Sequence, residues 1–337
     1  MQFEILKILA DGRFHSGDEM GSLLGISRAG VWKQIKKLDD MGIECHSVRG
    51  KGYKVPGGLD LLDKEKILAA MALVYQPLPT QASLVNLYYS VDSTNNIAMQ
   101  SAQKGVASGF TCIAEQQTSG RGRRGRHWVS PFARNVYMST AWHFDQGVGA
   151  LEGLSLATGV AVARALKRAR VPGVQLKWPN DILGVTNHGG KHSPSKYKKL
   201  AGILLEMAGN AADQCQIVIG IGVNLAMPLE AGESIGQPWT DLESMLGYKA
   251  DRNQIVGYVL GEVLNMLTEF QREGFQPFWQ EWLSLDIYRD KCVELIMAEN
   301  TVSGISRGIN ETGALLLETE QGIKHFRGGE ISLRAIL

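Results

Sequence analysis

The chain has 337 residues, of which 44% are hydrophobic and 20% are charged, and its formal net charge is +1. This length predicts two or three domains, the composition is ordinary for a soluble globular protein, and the charge excludes an overall polycation. The four cysteines are far apart and lack metal-ligand spacing, which favours reduced thiols and a cytoplasmic location. Neither a signal-peptide pattern nor an apolar run of membrane-spanning length is present, so no membrane partner is expected.

Residues 1–56 have the pattern of a winged helix-turn-helix. Apolar spacing predicts a first helix from Phe3 to Leu9 and a second from Asp18 to Leu24. Ser27 is a natural N-cap for a third helix that begins at Arg28. A hairpin pattern from Ile43 to Val55 follows and predicts the wing.

Charge is segregated within this module. Residues 28–54 hold seven basic and three acidic side chains (net +4), whereas residues 1–27 hold two basic and four acidic ones (net −2). A basic third helix beside a basic wing is typical of duplex DNA binding, with the helix in the major groove and the wing along the phosphates. The alternative is an interaction module with a solvated basic face, but turn, charge and wing together favour DNA binding. Because monomeric modules of this size bind DNA weakly, a dimer on a two-part operator is expected. The residues expected at the DNA are Ser27, Arg28, Lys33, Gln34, Lys37, Arg49 and Lys51.

A second domain follows the break at Pro56-Gly57-Gly58. Leu59 to Leu73 predicts a helix, and from Leu84 strands alternate with amphipathic helices, which indicates an α+β or α/β domain. Asp92 or Ser93 is placed to cap a helix that starts near Asn95. The remaining main elements are predicted at Phe110–Ala114, Val136–Trp142 and Ile217–Asn224 (strands) and at Leu154–Ala169 (a core helix).

The most informative segment runs from Gly120 to Trp128 and is called the arginine–glycine loop below. Within seven of its residues stand four arginines and three glycines, with no acidic side chain. Glycines allow successive N–H groups to form an anion-binding concavity, and arginines add forked donors for phosphate and carboxylate. The alternative is a solvated loop that binds RNA or nothing, and composition alone does not separate the two.

Two lysines stand at places suited to an active site. Lys177 ends a strand before a Pro-fixed turn that carries Asn180 and Asp181, although an ordinary strand exit has the same spacing. A long basic insertion over 184–198 then leaves open whether Lys196, Lys198 or Lys199 enters the site. Lys199 is favoured because it directly precedes Leu-Ala-Gly-Ile.

From about Asp286 the chain predicts short strands with turn residues between them, which indicates a small SH3-like barrel. On composition alone, this segment could equally be a packing module.

In this order, these segments resemble the bacterial bifunctional biotin protein ligases. The resemblance covers nearly the whole chain and rests on several motifs together: Asp92–Asn95, the arginine–glycine loop, Lys177–Asp181, Lys199–Leu204, Gly220–Asn224 and Gly328–Arg334. It implies an α+β multidomain fold. The parts are a winged helix-turn-helix (1–58), a catalytic domain of the class II synthetase and biotin–lipoate ligase type (59–285) and an SH3-like barrel (286–337).

The resemblance also implies an activity. Biotin and ATP form biotinyl-5′-adenylate, and a lysine of the biotin carboxyl carrier protein of acetyl-CoA carboxylase then takes the biotin. The adenylate-bound homodimer represses biotin synthesis genes at operator DNA. Mg²⁺ is expected to be held largely by ATP, and no protein metal ligands are assigned. Rival interpretations are a lipoate-type ligase and a ligand-sensing transcription factor without turnover.

Site residues follow from the resemblance one by one. The catalytic group is Lys177, Arg123 and Lys199. The biotin group is Ser93, Thr94, Asn95, Gln117, Gly120, Arg121, Gly122, Arg123, Lys199 and Gly202. The ATP and adenylate group is Arg121, Arg126, Trp128, Lys177, Asn180, Asn224, Trp239 and Arg334. The resemblance also implies that the last domain helps to bind ATP and the carrier protein, with Glu330 and Arg334 involved.

Overall fold

Three helices and a hairpin form the N-terminal module of the computed structural model, which describes residues 2–76, 83–185, 197–208, 215–297, 300–328 and 331–336. The elements are α1 (Gln2–Leu9), α2 (Gly17–Leu24), α3 (Arg28–Asp39), β1 (His46–Val48) and β2 (Gly52–Lys54). β1 and β2 pair antiparallel and form the wing. The predicted winged helix-turn-helix is confirmed.

Local signals explain where these helices begin and end. Ser16 and Glu19 form a capping box at the start of α2, and Gly25 ends α2 with a φ of 66°. The hydroxyl of Ser27 accepts a hydrogen bond from the Gly30 N–H at 3.1 Å, which confirms the predicted N-cap of α3.

The N-terminal module packs directly on the central domain. Phe132 and Ala133 belong to the same hydrophobic cluster as the core of the module, and the rings of Phe3 and Tyr89 stack at 3.9 Å. Gln116 donates a hydrogen bond to the Met41 carbonyl at 3.4 Å. The segments that enter and leave the arginine–glycine loop therefore both contact the DNA-binding module.

The helix after the linker is shorter than predicted. α4 spans Lys64–Ala72, with Asp63 as its N-cap, so the prediction of a helix from Leu59 is wrong for its first five residues. The preceding backbone bonds elsewhere: the Leu59 N–H donates to the Ala10 carbonyl at 2.9 Å, and the Leu62 N–H to Glu115 Oε1 at 2.6 Å. These tertiary partners replace the helical hydrogen bonds that local sequence favours.

A seven-stranded mixed sheet forms the central domain. Its strands are β3 (Val85–Tyr88), β4 (Phe110–Ala114), β5 (Val136–Phe144), β6 (Val174–Lys177), β7 (Asp181–Val185), β8 (Tyr197–Ala208) and β9 (Cys215–Val223). The order is β3-β4-β5-β9-β8-β7-β6, and only the β3–β4 pair is parallel. The predicted strands at β4, β5 and β9 are present.

Helices cover both faces of this sheet. α5 (Thr94–Gln103) lies on one face, and its Ala98 and Ala102 pack with Val218 of β9. α6 (Leu154–Arg168) and α9 (Arg252–Glu273) lie on the other face, against the apolar side chains that alternate with Val218 along the strand. Two short helices, α7 (Leu229–Gly232) and α8 (Leu242–Leu246), precede α9.

One apolar segment has the length and hydropathy of a membrane span. Val148–Arg168 passes that test, and 56% of its most apolar window is buried. This segment contains α6, whose residues from Leu154 to Leu166 pack in the main hydrophobic core. Burial of this kind is what the predicted core helix requires.

The C-terminal domain is a β structure, as predicted. After α10 (Gln276–Leu285) come β10 (Cys292–Ile296), β11 (Thr301–Ile309), β12 (Leu315–Thr319), β13 (Gly322–Phe326) and β14 (Ser332–Ala335). They form one antiparallel sheet in the order β13-β12-β11-β10-β14. Most of the basic insertion (186–196, with Lys196) and Glu330 lie outside the described residues.

Candidate functional site

A single cavity of about 800 Å³ gathers the polar motifs of the central domain. It lies over the sheet strands β8 and β9, with the arginine–glycine loop on one side and the turn between β6 and β7 on another. Residues 234–238 and the C-terminal residues Ile331–Arg334 also line it. Segments that are up to 241 positions apart in sequence, from Ser93 to Arg334, thus share one site.

Three glycines of β8 and β9 leave the backbone exposed as part of the cavity floor. Gly202 of β8 pairs with Gly222 of β9, and Gly220 lies two residues away. A Cβ atom at Gly222 would overlap the Trp128 ring, and one at Gly220 would overlap the amide of Asn95. The surface of β9 is therefore flat at these glycines, and Trp128 lies against it.

The arginine–glycine loop closes on itself by backbone hydrogen bonds. The Trp128 N–H donates to the Gly120 carbonyl at 2.9 Å, and the Gly122 N–H donates to the Arg126 carbonyl at 2.7 Å. Arg124 and Gly125 both adopt positive φ (60° and 67°), which tightens the tip. This compact tip brings the Arg123 guanidinium within 2.8 Å of Asn180 Oδ1, across the cavity on the β6–β7 turn.

Lys177, Asp181 and Lys199 form a compact charged group, called the lysine cluster here. Lys199 Nζ lies 2.7 Å from Asp181 Oδ1, and Lys177 Nζ lies 3.5 Å from Asp181 Oδ2. Their side chains are between 15% and 18% exposed. Burial, with the neighbouring charge of Lys199, lowers the pKa of Lys177, although Asp181 acts in the opposite direction. Burial alone would raise the pKa of Asp181, but the two ammonium groups outweigh it, so that its pKa is lowered.

The turn between Lys177 and Asp181 is fixed to the last domain. Trp178 is buried and donates through Nε1 to the Gly313 carbonyl at 3.1 Å, and the Trp178–Pro179 peptide bond is cis. Ser155 donates to the Pro179 carbonyl at 3.0 Å. The C-terminal domain therefore helps to position Lys177, which only the tertiary structure reveals.

Amide and hydroxyl side chains connect the start of α5 to the base of the loop. Gln117 Oε1 accepts from the Thr94 N–H at 2.9 Å and from the Thr94 hydroxyl at 3.0 Å. Gln117 Nε2 donates to Ser130 at 3.2 Å. Ser93 occupies the N-cap position of α5, but its hydroxyl makes no capping hydrogen bond. It faces the cavity as a polar group that is not used for capping.

Glu206 links the loop to α5 from the centre of the sheet. Asn95 Nδ2 donates to Glu206 Oε2 at 2.6 Å, and Arg121 Nη2 lies 3.2 Å from Oε1 and 3.3 Å from Oε2. The Ser139 hydroxyl donates to Asn95 Oδ1 at 2.5 Å. Arg121 is thus held at the cavity wall by a carboxylate.

Most of the residues predicted for the site line this cavity: Ser93, Thr94, Asn95, Gln117, Arg121, Gly122, Arg123, Arg126, Trp128, Lys177, Asn180, Lys199, Gly202 and Arg334. The structure does not bring Gly120, Asn224 and Trp239 to its lining. Gly120 lies at the base of the loop, close to the Trp128 carbonyl and Gln117. Asn224 donates to the Lys199 and Thr240 carbonyls, and Trp239 donates to Gly232 while its backbone bridges to Lys199. Asn224 and Trp239 therefore hold the backbone around Lys199 in place without lining the cavity themselves.

Sequence reasoning missed two acidic residues of the site. Asp181 was noted only as part of a turn motif, yet it joins both lysines. Glu206 was not considered. Period-two alternation could have found it, because Gly202, Leu204 and Glu206 share one face of β8 and a lone carboxylate interrupts an apolar strand.

The predicted DNA-binding residues lie on α3 and the wing. Arg28, Lys33, Lys37, Arg49 and Lys51 are exposed, and Gln34 is half-buried. The Ser27 hydroxyl accepts the capping hydrogen bond of α3, and Arg28 Nη1 lies 3.7 Å from Asp18 Oδ2. The basic face is therefore open to a partner.

Among the described residues, no group of three or more His, Cys, Asp or Glu side chains is placed to hold an ion. Asp181 is the only carboxylate among the described residues that line the cavity, and it already pairs with two lysines.

Comparison with known proteins agrees with this architecture. Three family models match: an HTH domain over residues 2–54, the biotin/lipoate A/B protein ligase family over 87–224 and the biotin protein ligase C-terminal domain over 290–334. The chain is similar to the bifunctional ligase/repressor BirA of Salmonella typhimurium, with 39% identity over 98% of this chain and 97% of that protein. The BirA of Bacillus subtilis is 30% identical over 96% and 95%.

A solved structure shows the same relationship. The biotin protein ligase of Aquifex aeolicus in complex with biotin and ATP superposes with a TM-score of 0.61 and 30% sequence identity. The match covers 75% of this chain and 99% of that one.

Proposed function

The chain belongs to the biotin protein ligase family, and from that premise we propose how its residues carry out ligation and repression. It is an ATP-dependent biotin–protein ligase and a DNA-binding repressor. The observation that carries the residue assignment is the cavity in which the arginine–glycine loop faces the lysine cluster over a glycine floor.

The first half-reaction joins two anions. A carboxylate oxygen of biotin attacks the α-phosphorus of ATP. The bond between the α-phosphorus and the oxygen that bridges it to the β-phosphorus breaks, and pyrophosphate leaves with the electron pair of that bond. Such a step needs positive charge and orientation more than a general base. Lys177 and Lys199 supply two ammonium groups at one wall, and Arg123 faces them from the loop.

We assign biotin to the side of the cavity near α5. Thr94 and Gln117 fix each other there, and Asn95 and Arg121 are fixed by Glu206. Polar groups held in place in this way orient a ligand at little entropic cost. The full group assigned to biotin is the predicted one, with Gly120 acting through the loop backbone and Lys199 at the carboxylate end.

We assign the adenylate to the side of the cavity that Arg126, Asn180 and Arg334 share with the segment 234–238. Asn224 and Trp239 act there as supports of Lys199 rather than as direct contacts. Bound Mg²⁺ would neutralise triphosphate charge. The donor set fits an ion held mainly by ATP oxygens, with Asp181 as the only carboxylate among the described lining residues.

The second half-reaction needs a partner protein. A deprotonated carrier lysine attacks the anhydride carbonyl, AMP leaves, and the amine loses a proton. We propose the biotin carboxyl carrier protein of acetyl-CoA carboxylase as this partner, because relatives of this chain are named biotin–[acetyl-CoA-carboxylase] ligases. We also propose a cytoplasmic location.

For repression, we propose that the adenylate-bound protein forms a homodimer on operator DNA. The support is the docking of the N-terminal module against both ends of the arginine–glycine loop, through Gln116 and Phe132. A ligand that orders this loop changes the equilibrium between orientations of the N-terminal module only to the extent that it binds those orientations with different affinities. Sedimentation with and without biotin plus ATP tests dimer formation.

The decisive experiment is ATP–pyrophosphate exchange with the full-length protein, run with biotin and separately with lipoate. Exchange with biotin alone supports the proposal. Exchange with lipoate alone makes the chain a lipoate-type ligase, and exchange with neither leaves a ligand-sensing repressor.

A further inference from the structure

The DNA-facing helix α3 exposes a large aromatic side chain that has no place in the ligand site or in the core. Trp32 is 52% exposed, whereas its neighbour Val31 is fully buried in the core of the module. A tryptophan side chain presents one of the largest apolar areas of any residue, and leaving it in water gives up the free energy of its burial. Its position outside the core therefore favours a role in contact with a partner.

The surroundings of Trp32 define the chemistry of that partner. Arg28, Trp32 and Lys36 stand four residues apart and form one row along α3. Lys36 Nζ lies 5.7 Å from the centre of the Trp32 ring, and both cations are exposed. An apolar face between two cations matches a polyanion that has apolar groups between its charges, and duplex DNA has this arrangement in its grooves.

Base chemistry narrows the contact further. In the major groove, thymine is the one unmodified base that presents a methyl group, and apolar side chains select it by contact with that group. Residues near the start of the third helix of a helix-turn-helix contact base edges there. We propose that Trp32 packs on a thymine methyl group and selects thymine at one position of each operator half-site. This inference rests on the proposed repressor function.

The contribution of this contact to DNA binding can be estimated from the burial of a single methyl group. Removing one buried methyl weakens binding about fourfold, so the loss for two half-sites is about fifteenfold. Phosphate contacts of Lys33 or Lys36 produce no such dependence, because the phosphate is the same beside every base.

The experiment uses the full-length protein with biotin and ATP present. An operator is first selected from random duplexes, and each of its thymines is then replaced by deoxyuridine, which removes only the methyl group. Binding is measured for the wild type, for Trp32→Ala and for the matched control Leu23→Ala, which removes an apolar side chain that is 67% exposed on the neighbouring helix α2.

The proposal expects one thymine per half-site whose replacement weakens wild-type and Leu23→Ala binding about fourfold but leaves Trp32→Ala binding unchanged. ATP–pyrophosphate exchange should stay normal in both variants. If Trp32→Ala retains the full deoxyuridine effect, or if no thymine methyl matters to the wild type, the Trp32 assignment is overturned while repression stands. If no duplex can be selected, the repressor function fails, and this assignment fails with it.

Discussion

Replacing Lys199 with Gln should slow biotin-dependent ATP–pyrophosphate exchange about 10²- to 10³-fold. A unit charge about 4 Å from the transferred phosphoryl group contributes about 4 kcal/mol at an effective dielectric constant of about 20, or roughly a thousandfold in rate. Lys177 remains in the lysine cluster and compensates in part, which sets the lower bound. The range matches the loss of one preorganised oxyanion donor in other enzymes, about 10²–10³.

The matched control is Lys198→Gln. Lys198 precedes Lys199 on β8, so its side chain points to the opposite face of the sheet, and it is not among the described lining residues. The control removes the same charge from the same strand and should change exchange less than threefold. Lys198→Gln should keep the wild-type free energy of unfolding in urea within about 0.5 kcal/mol. Lys199→Gln should lower it by about 1–3 kcal/mol, because Asp181 then has only Lys177 as a cationic partner in the lysine cluster.

The reasoning is refuted if Lys198→Gln loses as much exchange activity as Lys199→Gln. It is also refuted if Lys199→Gln stays within threefold of the wild type, because the ammonium group 2.7 Å from Asp181 would then have no part in the charge stabilisation of the reaction. If Lys199→Gln loses exchange activity only in proportion to its loss of folded protein, as measured by urea unfolding, Lys199 has a structural role.

Three further outcomes follow from other contacts. Glu206→Gln should raise the KM for biotin about tenfold with kcat nearly unchanged, because Arg121 and Asn95 lose a charged partner; an equal fall in kcat in steady-state assays argues against a binding role. Arg252→Met should reduce the free energy of unfolding by about 3–5 kcal/mol, since it leaves the carboxylate of Glu115 buried without its cation; a loss below about 1 kcal/mol in urea contradicts this. Burial raises the pKa of Asp286 from 3.8 to about 6, so protonation of its carboxyl group stabilises the folded state. This contribution to the free energy of unfolding is fully present below pH 3.8 and is lost as the pH rises through 6. The difference is about 3 kcal/mol by pH 7, so Asp286→Asn should raise the Tm at pH 7.5 and flatten its dependence between pH 4 and 7; an unchanged slope refutes the assignment.

Local sequence was sufficient where each signal has a local cause. The cap at Ser27 and the apolar run of β4 each depend on residues within a few positions. Sequence failed at the start of α4 because the backbone of 59–62 bonds to Ala10 and Glu115, which are distant in the chain. No local pattern contains that information.

The candidate site divides in the same way. The sequence by itself pointed to the arginine–glycine loop and Lys177, but composition and spacing left a solvated loop and an ordinary strand exit open, and the resemblance to biotin protein ligases favoured the active-site interpretation. It favoured Lys199 over Lys196 and Lys198 from the Leu-Ala-Gly-Ile that follows Lys199. The geometric reason is not local, because adjacent residues of a strand point to opposite faces and a bulge in the pairing of β7 with β8 sets which lysine enters the cavity.

Only the tertiary structure decided which charges meet. Asp181 joins two lysines, and Glu206 joins Arg121 to Asn95 across 85 and 111 positions of sequence. It also placed the N-terminal module against both ends of the loop and Asn224 behind Lys199. The physical reason is that residue types and their spacing fix local conformation and chemical capacity, whereas distances between charges are set by how strands pair and domains pack.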